Sequence, residues 1–246
     1  MDRLISYSAI VLAYLIGGGS LLLFVAFLVA GPFSFIRFEV SEAQVLLWDA
    51  FLSMLFFLQH SGMIRRSFRA WLSYAVQPHY QAATYAIASG TVLAAVVLLW
   101  QTSQTVLFEI QEPLQLLFRA GSLLAIAGIV LAVRALKTFD LFGRGSITDQ
   151  LHGKQQRPPQ FVLSGPYFWV RHPLYFFMLV LIWSTPEIHS DRLVFNVLWT
   201  SWIIYGAYLE ERDLVAVFGE AYRRYQDTVP MLVPWRGPVG QRLQSS

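Results

Sequence analysis

Between Leu4 and Ala30 the chain runs for 27 residues without one charged side chain, and few structures accommodate such a run. At about 1.5 Å per helical residue it outreaches a bilayer core of about 30 Å, with tilt to spare. It is too long for the apolar stretch of a signal peptide, and no small-residue cleavage site with a polar start follows it. Gly17-Gly18-Gly19-Ser20 would suit a flexible linker elsewhere. Inside an apolar span these small side chains predict close helix packing instead, and Gly121, Ala125, Gly128 and Ala132 form a similar small-residue face further on.

Five more apolar segments follow: Ala43–Ile64 with Asp49 and His60 inside it, Tyr80–Trp100, Leu114–Val133 with Arg119 near its start, Leu174–Pro186 and Leu193–Leu209. The last two would cover only about 20 and 25 Å as helices, so the fifth is extended back to about Phe168, with Arg171 at the interface. Composition agrees. The chain is 56% hydrophobic and 13% charged, where an average soluble domain has about 25% charged residues, and the mean hydropathy is +0.50. With no cysteine, disulfides, Cys-ligated zinc, Fe–S clusters and thiol nucleophiles are all excluded. The expected fold is an all-α, polytopic membrane bundle of about six transmembrane helices plus a C-terminal interfacial helix. It reads as a single integral-membrane domain over 1–246: four N-terminal helices in 1–136, a cytoplasmic loop in 137–167, and a helical hairpin with a C-terminal helix in 168–246.

Loop charges orient the bundle. With the N-terminus cytoplasmic, only Arg37, Arg119 and Arg192 of the 18 basic residues fall outside, beside Glu39, Glu42, Glu109, Glu112, Glu187 and Asp191. Every loop then obeys the positive-inside rule, and both termini are cytoplasmic. The net charge of +3 thus serves orientation and anionic headgroups rather than nucleic acid. The five histidines show no ligand spacing, so no metal is expected.

Polar groups inside a bilayer are functional candidates. Asp49, Ser53, Phe56 and His60 share one helix face, with Asp49 and His60 about 16 Å apart along it. Asp49 is expected to hydrogen-bond within the bundle near its outer side. Gln59-His60-Ser61 lies at the cytoplasmic end, and Arg65-Arg66 reads as a topology anchor. The densest chemistry comes later. Gly165-Pro166-Tyr167-Phe168-Trp169-Val170-Arg171-His172-Pro173-Leu174-Tyr175 leads into helix five, whose first-turn N–H groups can hold an anion. Helix six is expected to end at Glu210-Glu211-Arg212-Asp213, where two carboxylates oppose the helix dipole and need a compensating cation. Leu214–Tyr225 then has the spacing of one amphipathic interfacial helix, closed by Val229-Pro230 and Val233-Pro234.

This C-terminal constellation resembles the signature of the integral-membrane isoprenylcysteine carboxyl and phospholipid methyltransferases. The upstream pieces Gln59-His60-Ser61-Gly62-Met63, Phe68-Arg69-Ala70-Trp71 and Phe139-Asp140-Leu141-Phe142-Gly143 narrow it. So do Thr185-Pro186 and Val229-Pro230-Met231-Leu232-Val233-Pro234. From about residue 45 to 235 the chain resembles the bacterial methanethiol S-methyltransferases. It departs from that pattern at Lys137-Thr138, where Asn-His is expected, and at Phe177, where Gly is expected.

The resemblance implies S-adenosylmethionine as methyl donor, a small thiol as acceptor, in-line displacement with no metal, and a bacterial inner-membrane location. On the family pattern, Arg171, His172, Pro173 and Tyr175 would position the amino-acid and ribose parts of the donor. Glu210 or Glu211, with Tyr222 and Tyr225, would take its other polar groups. No glycine-rich dinucleotide fingerprint follows a strand, so the donor site is expected among helix ends and the C-terminal helix. His60, or else Tyr167, would help to remove the thiol proton. The other readings are a membrane methyltransferase acting on a prenylcysteine carboxylate or a phospholipid amine, and a non-enzymatic membrane protein.

Overall fold

The computed structural model describes residues 2–33, 35–136, 140–154, 161 and 163–238. In chain order its elements are α1 (Arg3–Ala30), α2 (Glu42–Ile64), α3 (Arg66–Leu72), α4 (Gln81–Leu99), β1 (Val106–Glu109), α5 (Leu114–Ala135), α6 (Arg144–Leu151), α7 (Pro173–Trp183), β2 (Glu187–His189), α8 (Ser190–Phe218) and α9 (Glu220–Thr228). The protein is mostly helical. Four helices, α1, α2, α4 with the short turn before it, and α5, are long and apolar enough to cross a membrane. The chain divides into two compact units: residues 1–107, 140–158 and 189–198, and residues 108–139, 159–188 and 199–246.

In the first unit the glycine run of α1 packs as expected. The helix widens into a π-turn over Ala13–Gly18, and its backbone meets that of α4. A Cβ on Gly90 would stand 2.8 Å from both the Gly17 Cα and the Ile16 carbonyl oxygen, so nothing larger than glycine fits there. A capping box of Ser41 and Gln44 starts α2. Two turns into α2, buried Asp49 accepts the Gln101 backbone N–H through Oδ1 at 2.9 Å, the hydrogen bond expected of it within the bundle, while its Oδ2 has no partner among the described residues. Arg192, expected in an exposed outer loop, is instead only 6% exposed. Its guanidinium lies over the rings of Phe27 and Phe195 and donates to the Leu28 carbonyl. Neighbouring Asp191 accepts the Trp100 indole N–H and the Ser103 backbone N–H. A cation and a carboxylate can be buried here because backbone groups and aromatic faces replace water.

The expected cytoplasmic loop contains α6. Gly143, at φ 73°, starts it where a Cβ would stand 2.6 Å from the Ala83 nitrogen. Asp140 accepts the Ser146 N–H at 2.9 Å, and Ile147 is fully buried with Ala13, Ala83 and Ala86. The departure at Lys137-Thr138 lies outside the described residues.

In the second unit α5 packs along α7. Of the small-residue face read from the sequence, Ala125, Gly128 and Ala132 are buried, with Ser122 beside them, and Gly121 is half-buried, where a Cβ would stand 2.9 Å from Ser184 Oγ. Phe177, where the sequence resemblance predicts glycine, sets its ring edge over Gly128, 2.3–2.5 Å from where a Cβ there would stand.

Two boundaries differ from expectation. The fifth helix does not reach back to Phe168: Gly165–Phe168 is a 3-10 turn, and α7 begins at Pro173. His172 has φ −123° and ψ 66°, a non-helical conformation of the kind that the ring of a following proline favours. The expected amphipathic helix Leu214–Tyr225 is two pieces. Gly219, at φ 57° and ψ −129°, separates α8 from α9, and a residue with a Cβ avoids that region.

Candidate functional site

The second unit gathers most of the candidate residues around one buried carboxylate. Glu211 lies on α8, which does not end there as expected but runs on to Phe218. The pair Glu210-Glu211 therefore sits about two turns inside the helix, and the dipole argument does not apply. The compensating cation is Arg171. Its Nε donates to Glu211 Oε1 at 2.5 Å and its Nη2 to Oε2 at 3.0 Å, a bidentate fork. Its Nη1 donates to the carbonyls of Gln226 and Val229. His172 Nε2 lies 3.2 Å from Glu211 Oε1, and Gln226 Nε2 donates to Oε2 at 2.8 Å.

Local structure explains the convergence. Arg171 and His172 precede α7 in non-helical backbone, and their N–H groups donate to the carbonyls of Pro230 and Met231. That pairing ties the entrance of α7 to the chain after α9 and points both side chains at α8. It also engages two N–H groups that the sequence left available to an anion. Burial works to raise the Glu211 carboxyl. Hydrogen bonds from His172, Arg171 and Gln226, with the charge of Arg171, outweigh it and hold the group at about 2.

Glu210 is the more accessible carboxylate, with 45% of its side chain exposed. It accepts from the Tyr175 hydroxyl at 2.8 Å and stands 3.7 Å from His172 Nδ1. The imidazole of His172 stacks on the Tyr175 ring, 5.4 Å between centroids. Pro173 is buried at the first turn of α7, where its missing N–H costs nothing.

Tyr222 and Tyr225 are both 2% exposed, in an apolar cluster with Leu163 and Val229 that Phe161, Tyr167 and Phe218 flank. The Tyr225 hydroxyl donates to the Tyr167 carbonyl at 2.6 Å. The Tyr222 hydroxyl is buried without a hydrogen bond of acceptable geometry, a rare state for a native polar group and one that a ligand would relieve. Burial, then the negative charge of Glu210, pushes the Tyr167 hydroxyl above its ordinary value, so it stays protonated at neutral pH. Burial does the same to Tyr222 and Tyr225.

His60 belongs to the first unit. Its ring faces Tyr85 on α4, whose hydroxyl lies 2.8 Å from Nε2 and 3.0 Å from Nδ1. Sequence reasoning missed Tyr85, because nothing local marks a tyrosine 25 positions away as a partner. It also missed Gln226, though its place beside Tyr225 was a usable signal. The first unit has a cavity of about 230 Å³ as well, lined by Ile36, Arg37, Trp100, Gln101 and Thr102 among others, and none of the candidate site residues lines it.

An apolar helical chain that carries this motif-built cluster is an integral-membrane methyltransferase by class. Comparison with known proteins narrows the class. The methanethiol S-methyltransferase of a Pseudomonas species is 39% identical over 199 residues, 79% of this chain and 75% of that protein. Methanethiol S-methyltransferase 1 of Bradyrhizobium diazoefficiens is 34% identical over 206 residues, covering 82% and 71%. The methanethiol S-methyltransferase of Mycobacterium tuberculosis is 30% identical over 193 residues, covering 78% and 79%. No family model and no solved structure matches the chain. The chain belongs to the methanethiol S-methyltransferase family, and it is an S-methyltransferase. Membership sets aside the non-enzymatic reading.

Proposed function

We propose that the protein methylates methanethiol to dimethyl sulfide with S-adenosylmethionine as donor, at a site facing the cytoplasm. The observation that carries this is the family's C-terminal motif folded around Glu211, in a chain matched over most of its length by proteins named for that reaction. We further propose that α7 and α8 complete six spans in a single inner-membrane domain, with both termini in the cytoplasm.

The residues fit the donor in kind. S-Adenosylmethionine brings a cationic sulfonium, an ammonium, a carboxylate and hydroxyls. The second unit offers a half-exposed carboxylate, a hydroxyl without a partner, and tyrosine and phenylalanine faces, which suit a cation. Glu210 and Tyr222 would hold the donor's polar groups, with Tyr175 orienting Glu210. Arg171, His172 and Gln226 engage Glu211, so their part is to fix the wall of the site. When bound, S-adenosylmethionine supplies a methyl group on a positively charged sulfur, open to in-line displacement.

The chain's task is positioning, with reacting atoms about 3–3.5 Å apart, and exclusion of water. A thiolate and a sulfonium lose their charges together, so a dry site favours the transition state over the separated ions. His60 accepts the thiol proton. Tyr167, kept protonated, serves as a donor rather than a base.

The test is purified protein with methyl-labelled S-adenosylmethionine and an acceptor panel of methanethiol, hydrogen sulfide, longer thiols, a prenylcysteine and phosphatidylethanolamine. Label should enter the small thiols. Transfer to the last two alone would replace this reading with a lipid-type substrate.

A further inference from the structure

The connection between α2 and α4 takes no part in the site described above. Both helices, α4 with the turn before it, are long and apolar enough to cross a membrane, so residues 65–77 between them lie at one membrane surface. Arg65, Arg66 and Arg69 are the charged residues of this connection, and no Asp or Glu occurs anywhere in residues 50–108. All three arginines are exposed, and among the described residues none of them forms a salt bridge. Arg66 and Arg69 stand three apart on α3, neighbours on its surface, where like charges repel. The helix has little of its own to offset this. It is seven residues long, buries none of them, and has no side-chain cap, whereas helices shorter than about 12 residues are marginal in water and depend on packing a face. Phe68 and Leu72 are half-buried, and the Phe68 and Trp71 rings meet at 5.3 Å. Turn hydrogen bonds continue the coil to Val76, and Gln81 Nε2 donates to the Arg69 carbonyl at 3.3 Å. These bonds tie the segment to α4 and leave Trp71 63% and Tyr74 92% exposed, beside the arginines.

We propose that Arg65, Arg66 and Arg69 dock the phosphates of anionic phospholipids, with Trp71 and Tyr74 seated in the headgroup layer beside them. Charge complementarity selects this occupant. Three guanidiniums on a stretch without a carboxylate favour an anion, and at a membrane surface the abundant anion is the lipid phosphate. A guanidinium can donate to two phosphate oxygens at once, while its apolar stem lies along the lipid. Tryptophan and tyrosine rings, apolar with one polar edge, suit the same depth. Orientation by positive residues is settled as helices insert. Docking is instead a property of the folded protein, which would select lipids by headgroup. Which acceptor is methylated has no bearing on that preference.

The test titrates the full chain in detergent micelles with dansyl-labelled phosphatidylglycerol and, separately, dansyl-labelled phosphatidylcholine. Binding is read by energy transfer from tryptophan to the label. Each basic residue at an anionic surface contributes about a five-fold preference at low salt, so the parent should bind phosphatidylglycerol roughly 100-fold more tightly than phosphatidylcholine. Arg65→Gln, Arg66→Gln and Arg69→Gln combined should bring that ratio to within about five-fold. Lysine at the same three positions keeps the charge, and should hold the ratio within about three-fold of the parent. A second measurement needs no variant. The parent's ratio should shrink at least several-fold in about 1 M salt, where charges are screened beyond about 3 Å.

A glutamine variant that keeps the parent's ratio would overturn the proposal. A lysine variant that loses as much as the glutamine one would overturn it in favour of a structural role for the arginines. A parent ratio unmoved by salt would overturn an electrostatic hold, and a parent that takes both lipids equally would leave this face to an acidic protein segment instead.

Discussion

Replacing Glu211 by glutamine keeps the shape of the side chain and removes its charge, which leaves Arg171 facing a neutral amide. The Arg171 side chain is 10% exposed and that of Glu211 is 9% exposed, so water cannot take over the lost interaction. Two routes give the magnitude. Holding the carboxyl at about 2 against an ordinary 4.5 corresponds to about 3 kcal/mol, at 1.36 kcal/mol per unit. Removing one partner of a buried pair costs about 3–5 kcal/mol in measured cases. Glutamine still accepts one hydrogen bond, so the expected loss is about 2–4 kcal/mol, or roughly 4–16 °C in melting temperature for a chain of this size. The assay is thermal unfolding in nanodiscs, followed by near-ultraviolet circular dichroism. Arg171→Met added to Glu211→Gln should recover part of the loss, because the uncompensated guanidinium goes too. A single variant that melts within about 1 °C of the parent would refute the claim that this pair is buried and held by mutual compensation.

Three further outcomes follow from the same geometry. The contribution of Glu211 is complete above the carboxyl's ordinary 4.5 and is lost as the pH falls toward about 2; parent melting temperature should drop across that window and the Glu211→Gln profile should be flatter. Tyr222→Phe removes a buried hydroxyl that has no partner, so stability should stay within about 0.5 kcal/mol of the parent or rise slightly, while the KM for S-adenosylmethionine increases; an unchanged KM would take Tyr222 out of the donor site. Gly128→Ala drives a methyl group into the Phe177 ring and should destabilise by about 1–3 kcal/mol, with Phe177→Ala restoring most of it in the double variant; additive losses would refute the contact.

How much of this was legible in the sequence differs by element. The first four helices of membrane-spanning length were, because an apolar run of bilayer length with at most one charged residue has few other fates, and so were the small-residue faces at Gly17 and Gly128 that let helices touch. The resemblance brought the residues of the cluster together by name, but not their pairing. Arg171 and Glu211 stand 40 positions apart, and the compensation read as a helix-end problem is a side-chain fork inside a continuous helix. Helix limits failed where one residue overrode the pattern: Pro173 and the conformation before it set the start of α7, and Gly219 breaks the Leu214–Tyr225 stripe. Apolar periodicity also hid the inward turn of Arg192, since a cation at a helix start reads as exposed until the Phe27 and Phe195 faces are known to meet there. The His60–Tyr85 contact joins two helices by a hydroxyl and a ring, and such a pair leaves no trace in local spacing.

The most direct test of the central claim is isotopic. The purified protein is mixed with S-adenosylmethionine carrying a trideuterated methyl group and with unlabelled methanethiol, and the headspace is read by mass spectrometry. The account predicts dimethyl sulfide three mass units heavier than the unlabelled compound, formed only when protein and both reactants are present. Headspace free of labelled dimethyl sulfide, with the deuterated methyl recovered on a lipid amine or left on the donor, would contradict it.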